Sequence, residues 1–504
     1  MNKGKGRKIL FYNPFSAWPF HLETDLELVK KHLDVGDEVI FLTCNRDLEV
    51  CEPNHTHNYL DCHACITRRK HGFRLLGLTD KVEFKSFKDL TDEQSKIIEQ
   101  YQGLEMKTID DLKAVTFEQC DIGMAVAASL IDRFREAEPA IADQKEYINN
   151  LMRVALTVYF SMKNNINKFK PDELYLFNGR YAALRPALRA AQELNINVKV
   201  HERSGVMGKY TITQGTYPHD FEKKKQSITE TWENSTLGLE EKIKIGSKWY
   251  EDCRQYGLSK AGLTYKVKQE DTLPVNFDTN KFNVVIYSSS EEEYAAISGY
   301  LSRIYNNQND GVQRIVEGLR FLPNVHIYLR VHPNLKGVNN SQTRFIESIK
   351  NTYPNLTVID AASTISSYKL MDSANVVIVF ASTMGLEAAY AGRKCLLVRR
   401  TQWEDLGACT RINSHEEVVE AIKDMIANPS QKIDWEARKL GAIKFGFYNN
   451  TYGIPFQYFK HETRNRLTYN NSIISPDFLF IRRVFSRLYS NYRNFVSVFK
   501  SKNK

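Results

Sequence analysis

Nowhere in this 504-residue chain do about 18 uncharged apolar residues follow one another, which argues against a helix that spans a membrane. Charge of one sign is also scarce over most of the length. The net charge is +9, but residues 477–504 hold seven Lys/Arg and one Asp, a net +6, which leaves +3 for everything before them. So nearly neutral a body excludes a nucleic-acid partner held by its phosphates. There is no internal repeat and no low-complexity tract. Nor is the start expected to act as a secretory leader. The basic start, MNKGKGRK, is followed by only four apolar residues before polar ones and a proline, so ILFY reads as a buried strand. The expected location is cytoplasmic. Cysteine is sparse too, eight in all, and half of them fall in one loop.

With 42% hydrophobic and 26% charged residues the chain is globular. Its length suggests about two to three domains. Short apolar runs alternate with helix-length segments. KILFYN, DEVIFLTC, ELYLFN and NVKVHER in the first half, and FNVVIYSSS, VHIYLRVHP, LTVID, NVVIVFAS and KCLLVRR in the second, read as strands buried on both faces of parallel sheets. The expected fold is α/β, two doubly wound Rossmann-like domains facing a cleft. We expect a first domain at 1–235, a connecting segment at 236–280 and a second domain at 281–430. Helices at 431–475 would pack back on the body, ahead of a basic amphipathic tail at 476–504.

In such sheets ligands bind beyond the carboxyl ends of the strands. VVIVFASTMGLEAAY places Ser382, Thr383 and Gly385 there, at the start of a helix. Free N–H groups, the positive helix end and two hydroxyls suit a phosphate or diphosphate, and Gly385 allows close approach. Glu387, one turn in, suits ribose hydroxyls. A bland reading is that Ser382 caps the helix and Gly385 relieves crowding. RVHPNL adds Arg330 and His332 at another strand end, and YSSSEEE adds Ser288 and Ser289, which either bind a nucleotide or cap a helix.

The spacing of RVHPNL and ASTMGLEAAYAGRKCLLV resembles the second domain of GT-B-type glycosyltransferases, particularly bacterial capsule and surface-polysaccharide biosynthesis proteins. The resemblance implies that Ser382, Thr383, Gly385 and Glu387 hold a nucleotide-sugar donor, with Arg330 and His332 beside its phosphates. It also implies a sugar-transfer activity that needs no catalytic cofactor. The His-Pro dipeptide is similar to that of sialic acid and Kdo transferases, which use cytidine monophosphate donors. UDP-N-acetylglucosamine 2-epimerases share the fold, but their pattern has a doubled glycine and paired glutamates. Met384-Gly385 and a single glutamate put that reading second, beside a non-catalytic scaffold of a polysaccharide complex.

On the acceptor side, FNGR puts Asn178 and Arg180 at a strand end, and HER puts Glu202 and Arg203 at the next. Their blander roles are an Asn-Gly turn and a local ion pair. An inverting transferase needs a group that takes the acceptor's hydroxyl proton. Glu23, Asp25, Glu202 and His21 are candidates, as is His332 for the catalytic set. Trp18 would be a platform for a sugar ring. Thr24, Asp25 and Glu27 equally suit a helix start.

Cys44, Cys51, Cys62 and Cys65 are spaced C-x6-C-x10-C-x2-C. Clustered thiols in a cytosolic chain favour a metal over disulfides, which gives the expectation of structural zinc, with an iron–sulfur cluster or free thiols as alternatives. In the tail, Phe478, Ile481, Phe485, Leu488, Tyr492, Phe495 and Phe499 recur every three or four residues, with Arg482, Arg483, Arg487, Arg493 and Lys500 mostly between them. That pattern suits a helix lying on an anionic membrane or packed on a partner. The expected partners are a nucleotide-sugar donor, a polysaccharide or lipid-linked acceptor, and the inner face of the plasma membrane.

Overall fold

A computed structural model describes residues 6–101, 105–256, 269–300, 304–463 and 465–474. The chain divides into two compact units. The first comprises 1–102, 149–203 and 455–504, and the second comprises 103–148 and 204–454. This differs from the linear division read from sequence, because residues 103–148 and 204–235 belong with the second unit.

The first unit carries five parallel strands, β1 (Lys8–Asn13), β2 (Glu38–Thr43), β3 (Glu83–Ser86), β4 (Glu173–Phe177) and β5 (Asn197–Arg203). Their order across the sheet is β3-β2-β1-β4-β5. Helix α1 (His21–Asp34) follows β1, and α2 (Tyr59–Leu75) lies in the cysteine-rich stretch, capped by the Asn58 side chain accepting from the Leu60 N–H. The central strands are apolar throughout because both faces are covered, with Ile9, Leu10, Phe11, Ile40, Phe41, Leu174 and Leu176 at most 1% exposed.

The second unit begins its strands with β6 (Lys209–Gln214) and holds a parallel sheet of β7 (Phe282–Tyr287), β8 (Val325–Arg330), β9 (Leu356–Ile359), β10 (Val376–Val379), β11 (Cys395–Leu397) and β12 (Thr410–Arg411). The order is β12-β11-β10-β7-β8-β9. Both sheets therefore reverse direction once, between β1 and β4 and between β7 and β10. In doubly wound folds that reversal opens a crevice at the carboxyl ends of the two strands, and ligands bind there.

The helices Leu239–Tyr256 and Trp435–Thr451 also pack together in this unit. A Cβ on Gly446 would stand 2.3 Å from the Gly246 carbonyl oxygen, so paired glycines permit this close crossing. The Tyr250 hydroxyl seals it by donating to the Ala442 carbonyl at 2.6 Å.

Candidate active site

The segments that carry the donor-side residues expected from sequence follow three neighbouring strands of the second unit, β10 and β7 at its reversal point and β8 beside them. Val379 of β10 lies in register with Tyr287 of β7, and Tyr287 with Arg330 of β8. The segments that follow these strands, 381–387, 288–290 and 331–334, therefore leave one edge of one sheet. The last two are tied together: the Ser288 Oγ accepts from the His332 N–H at 2.9 Å. Gln308 and Gln342 fix the serine loop, each donating from its side-chain amide to the Ser289 carbonyl. The Ser289 Oγ itself is buried and has no partner.

His332 is neutral. Burial, with Arg330 and Arg135 nearby, pulls its pKa down to about 4. Its Nδ1 accepts from the Asn334 N–H at 3.2 Å, which leaves the ring proton on Nε2. Arg330 is 2% exposed, and its guanidinium donates to the Asp360 and Ser363 carbonyls at 2.6 and 3.2 Å and to the Ser367 hydroxyl at 3.3 Å. In this arrangement it holds the loop after β9.

After β10 the helix Met384–Tyr390 begins, with the Ser382 Oγ accepting from the Met384 N–H at 3.3 Å. Gly385 turns toward the sheet. An added Cβ would lie 2.8 Å from Val379 Cγ2 and 3.2 Å from the sulfurs of Cys395 and Cys409. The glycine lets the helix settle on β10 and β11, which is the crowding role. Glu387 is 5% exposed and hydrogen-bonded with Tyr368 and Thr383. Burial raises its pKa to about 7 against the pull of those bonds and of Arg254. Its Oε2 is buried without a partner. Tyr368 and Arg254 were not anticipated, since neither lies at a strand end and only the tertiary fold brings them to the carboxyl.

The first unit's reversal point assembles the acceptor-side residues. Asn178 holds a left-handed φ of 59°, and its amide donates to Glu202 Oε2 at 2.9 Å. Its own Oδ1 accepts from the Arg180 N–H at 3.1 Å, while Glu202 Oε1 accepts from the Arg203 N–H at 2.9 Å. Arg180 reaches the Tyr181 hydroxyl, and the Arg203 guanidinium lies 4.7 Å over the Phe20 ring. Trp18 sits edge-on to Phe177, with ring centres 5.9 Å apart, beside Tyr181 and His21. Glu202 and its neighbours thus form one cluster at the ends of β4 and β5, with the aromatic group at the end of β1.

Glu23 and Asp25 are placed differently, both at most 3% exposed on α1. Glu23 pairs with buried Arg68, whose other nitrogen donates to the Ser16 carbonyl at 2.7 Å. Asp25 receives the Asn13 amide at 2.6 Å and contacts His201 Nε2 at 2.8 Å. This buried Asn13–Asp25–His201 chain clamps the ends of β1 and β5 together. His201 was overlooked within the HER strand end, because alternation sets it on the face of Asn197 and Lys199 and not with the buried Val198 and Val200.

The expectation of a structural metal finds no support. Cys44, Cys51, Cys62 and Cys65 do line one pocket, but no group of three or more His, Cys, Asp or Glu among the described residues is arranged to hold a metal ion. Burial raises the Cys44 thiol to about 11 and pushes Cys51 and Cys65 up as well, which keeps these sulfurs protonated. The Cys65 sulfur instead accepts from the Ser16 N–H at 3.0 Å and that of Cys62 from the Asn54 amide at 3.2 Å. The tail at 476–504 lies outside the described residues, among which no helix is long and apolar enough to cross a membrane.

No family model matches the chain, and no curated protein does. Solved structures do. The chain is similar to the KpsC beta Kdo 2,4 transferase of Thermosulfurimonas dismutans, at 11% identity and a TM-score of 0.37, over 55% of this chain and 79% of that one. The beta Kdo 2,7 transferase of the same KpsC gives 14% and 0.33, over 56% and 79%. UDP-GlcNAc 2-epimerase from Neisseria meningitidis gives 11% and 0.31, over 88% and 97%. The site's own geometry carries the functional reading.

Proposed function

We propose that the chain is a glycosyltransferase of the GT-B class that moves a sugar from a nucleotide-activated donor to a growing surface polysaccharide or lipid-linked acceptor. The observation that carries it is a pair of buried polar atoms without partners, Ser289 Oγ and Glu387 Oε2, in the segments following adjacent strands at the second unit's reversal point. Buried polar groups are nearly always satisfied, so such orphans mark where a ligand's hydroxyls belong. Glu387 would take the ribose hydroxyls. Ser382, Thr383 and Ser288 would line the phosphates, and the neutral His332, proton on Nε2, would donate to the leaving phosphate as its charge develops. Arg330 acts by positioning the loop after β9.

In the first unit, Asn178, Arg180, Glu202 and Arg203 would hold the acceptor beside the Trp18 ring. Glu202, half-buried and accepting from the Asn178 amide, would take the acceptor's proton. Asp25 and Glu23 keep the end of β1 in place.

Thermal unfolding of the full chain against UDP, GDP, TDP, CDP and CMP tests the donor site. A ligand at about 100 times its Kd stabilises by about 2.7 kcal/mol. One nucleotide should shift the transition, and the shift should disappear in Glu387→Ala. If none of the five shifts it, the chain has no preformed donor site and the reading fails.

A further inference from the structure

Two adjoining pockets of the first unit take no part in the site described above. The first, about 540 Å³, opens at the carboxyl ends of β2 and β3, where Thr43 and Ser86 line it. Its charged lining is Arg69, Lys70, Arg74 and Lys85, with no carboxylate. Lys85 is paired with Glu83, and Asp47 lies just outside, accepting from the Asn45 N–H. Arg69 is the decisive member. It is 5% exposed, yet its guanidinium donates only to neutral oxygens, the Cys44 carbonyl at 3.1 Å and the Asn45 side chain at 3.2 Å. Asp47 lies near enough to act on its charge but makes no hydrogen bond with it, so the guanidinium keeps capacity for an anion, and it suits phosphoryl oxygens.

The second pocket, about 560 Å³, shares Arg74 with the first. Its lining is mostly apolar, with Ala17, Pro53, Ala64, Ile66, Leu75, Ile474 and the four cysteines, while its charged members besides Arg74 are Arg46, Asp61 and Arg68, the last paired with Glu23. Half-buried free cysteines behave as small apolar groups. A basic pocket thus opens beside an apolar one of similar size, with one arginine at their junction.

We infer that these joined pockets bind an amphiphile with a phosphate head, the head on Arg69, Lys70 and Arg74 and the apolar chain among Ile66, Leu75 and Ile474. The cysteine-rich loop then serves as the wall of a lipid-chain pocket. Taking this amphiphile as the sugar acceptor rests on the transferase reading, whereas its binding does not.

The test is binding of octyl phosphate, octyl glucoside and inorganic phosphate to the full chain, each probe below its micelle concentration, by calorimetry. Octyl phosphate should bind at least about tenfold more tightly than either of the others, each lacking one half of the recognition. The double variant Lys70→Glu/Arg74→Glu changes exposed side chains and should weaken octyl phosphate by about tenfold or more. Ala64→Trp should weaken octyl phosphate and leave inorganic phosphate unchanged. Equal binding of octyl glucoside would reduce the pocket to apolar adhesion, and equal binding of inorganic phosphate would leave an anion site with no chain. Either result, or no binding of octyl phosphate, overturns the inference. The nucleotide-induced shift should persist in all these variants, so its loss or survival reports on the donor site separately.

Discussion

Glu387 carries the most informative charge in the chain. Its pKa of about 7, against 4.5 for an ordinary glutamate, means that between those values the folded protein holds a proton the unfolded chain has released. Stability therefore falls as pH rises through that window and levels off above it, by up to about 3 kcal/mol. Glu387→Gln should remove this component, so denaturant unfolding at pH 5 and pH 8 should differ less in the variant than in the wild type. An unchanged pH dependence would mean that the carboxyl is not the group responsible. Asp25 makes the opposite kind of prediction. Truncating it to Ala strips His201 and Asn13 of a buried partner and should cost about 3 kcal/mol. Glu202→Ala, half-buried at the sheet edge, should cost about 1 kcal/mol or less while lowering transfer activity strongly. If Glu202→Ala proves the more damaging to folding, the two roles are exchanged. Residue types at strand ends were legible in the sequence. Which way each side chain turned was not: Glu23 and Asp25 fall on the buried face of α1, and a helix start and an acid catalyst look alike until the helix is docked.

The same ambiguity appears at the level of elements, where Gly385 is the clearest case. A glycine after a strand and before a helix suits either a ligand's close approach or a tight helix–sheet contact. The Cβ direction toward Val379, Cys395 and Cys409 selects the second. Gly385→Ala should thus overpack the helix Met384–Tyr390 against its sheet and lower stability by about 1–3 kcal/mol, read by chemical denaturation. A variant of full stability with impaired nucleotide binding would return the glycine to the ligand. The buried strands were readable because parallel strands covered on both faces are continuous apolar runs, as in VVIV of β10 and VHIYLR of β8. β3 was not, since EFKS is exposed at all four positions and sits at the end of the strand order, where nothing demands an apolar run. The cysteine spacing invited a metal, whereas the sulfurs of Cys65 and Cys62 accept from the Ser16 N–H and the Asn54 amide and all four cysteines line one pocket.

For the whole molecule, alternation of strands and helices announced two doubly wound units, yet it did not say which segments belong to which. Residues 103–148 precede β4 in the chain but join the second unit, with Arg135 paired to Glu292 at 2.9 Å and Glu136 accepting from the Ser341 N–H at 2.7 Å. Contacts of that sequence separation leave no local mark. Each sheet has its own reversal point, the second with the orphaned Ser289 and Glu387 atoms and the first with Arg180 Nε and His201 Nδ1. The proposed function assigns the donor to the second and the acceptor to the first, and amide hydrogen exchange should test that division. Saturation with the nucleotide selected by thermal shift should slow exchange at 288–290, 331–334 and 382–387 and leave the strand ends of β4 and β5 unchanged. Octyl phosphate should do the reverse within the molecule, slowing exchange at 43–46 and 62–75 and sparing the second unit. Protection by the nucleotide at the ends of β4 and β5 instead would exchange the donor and acceptor sides. Protection by both ligands at the same segments would replace two sites by one.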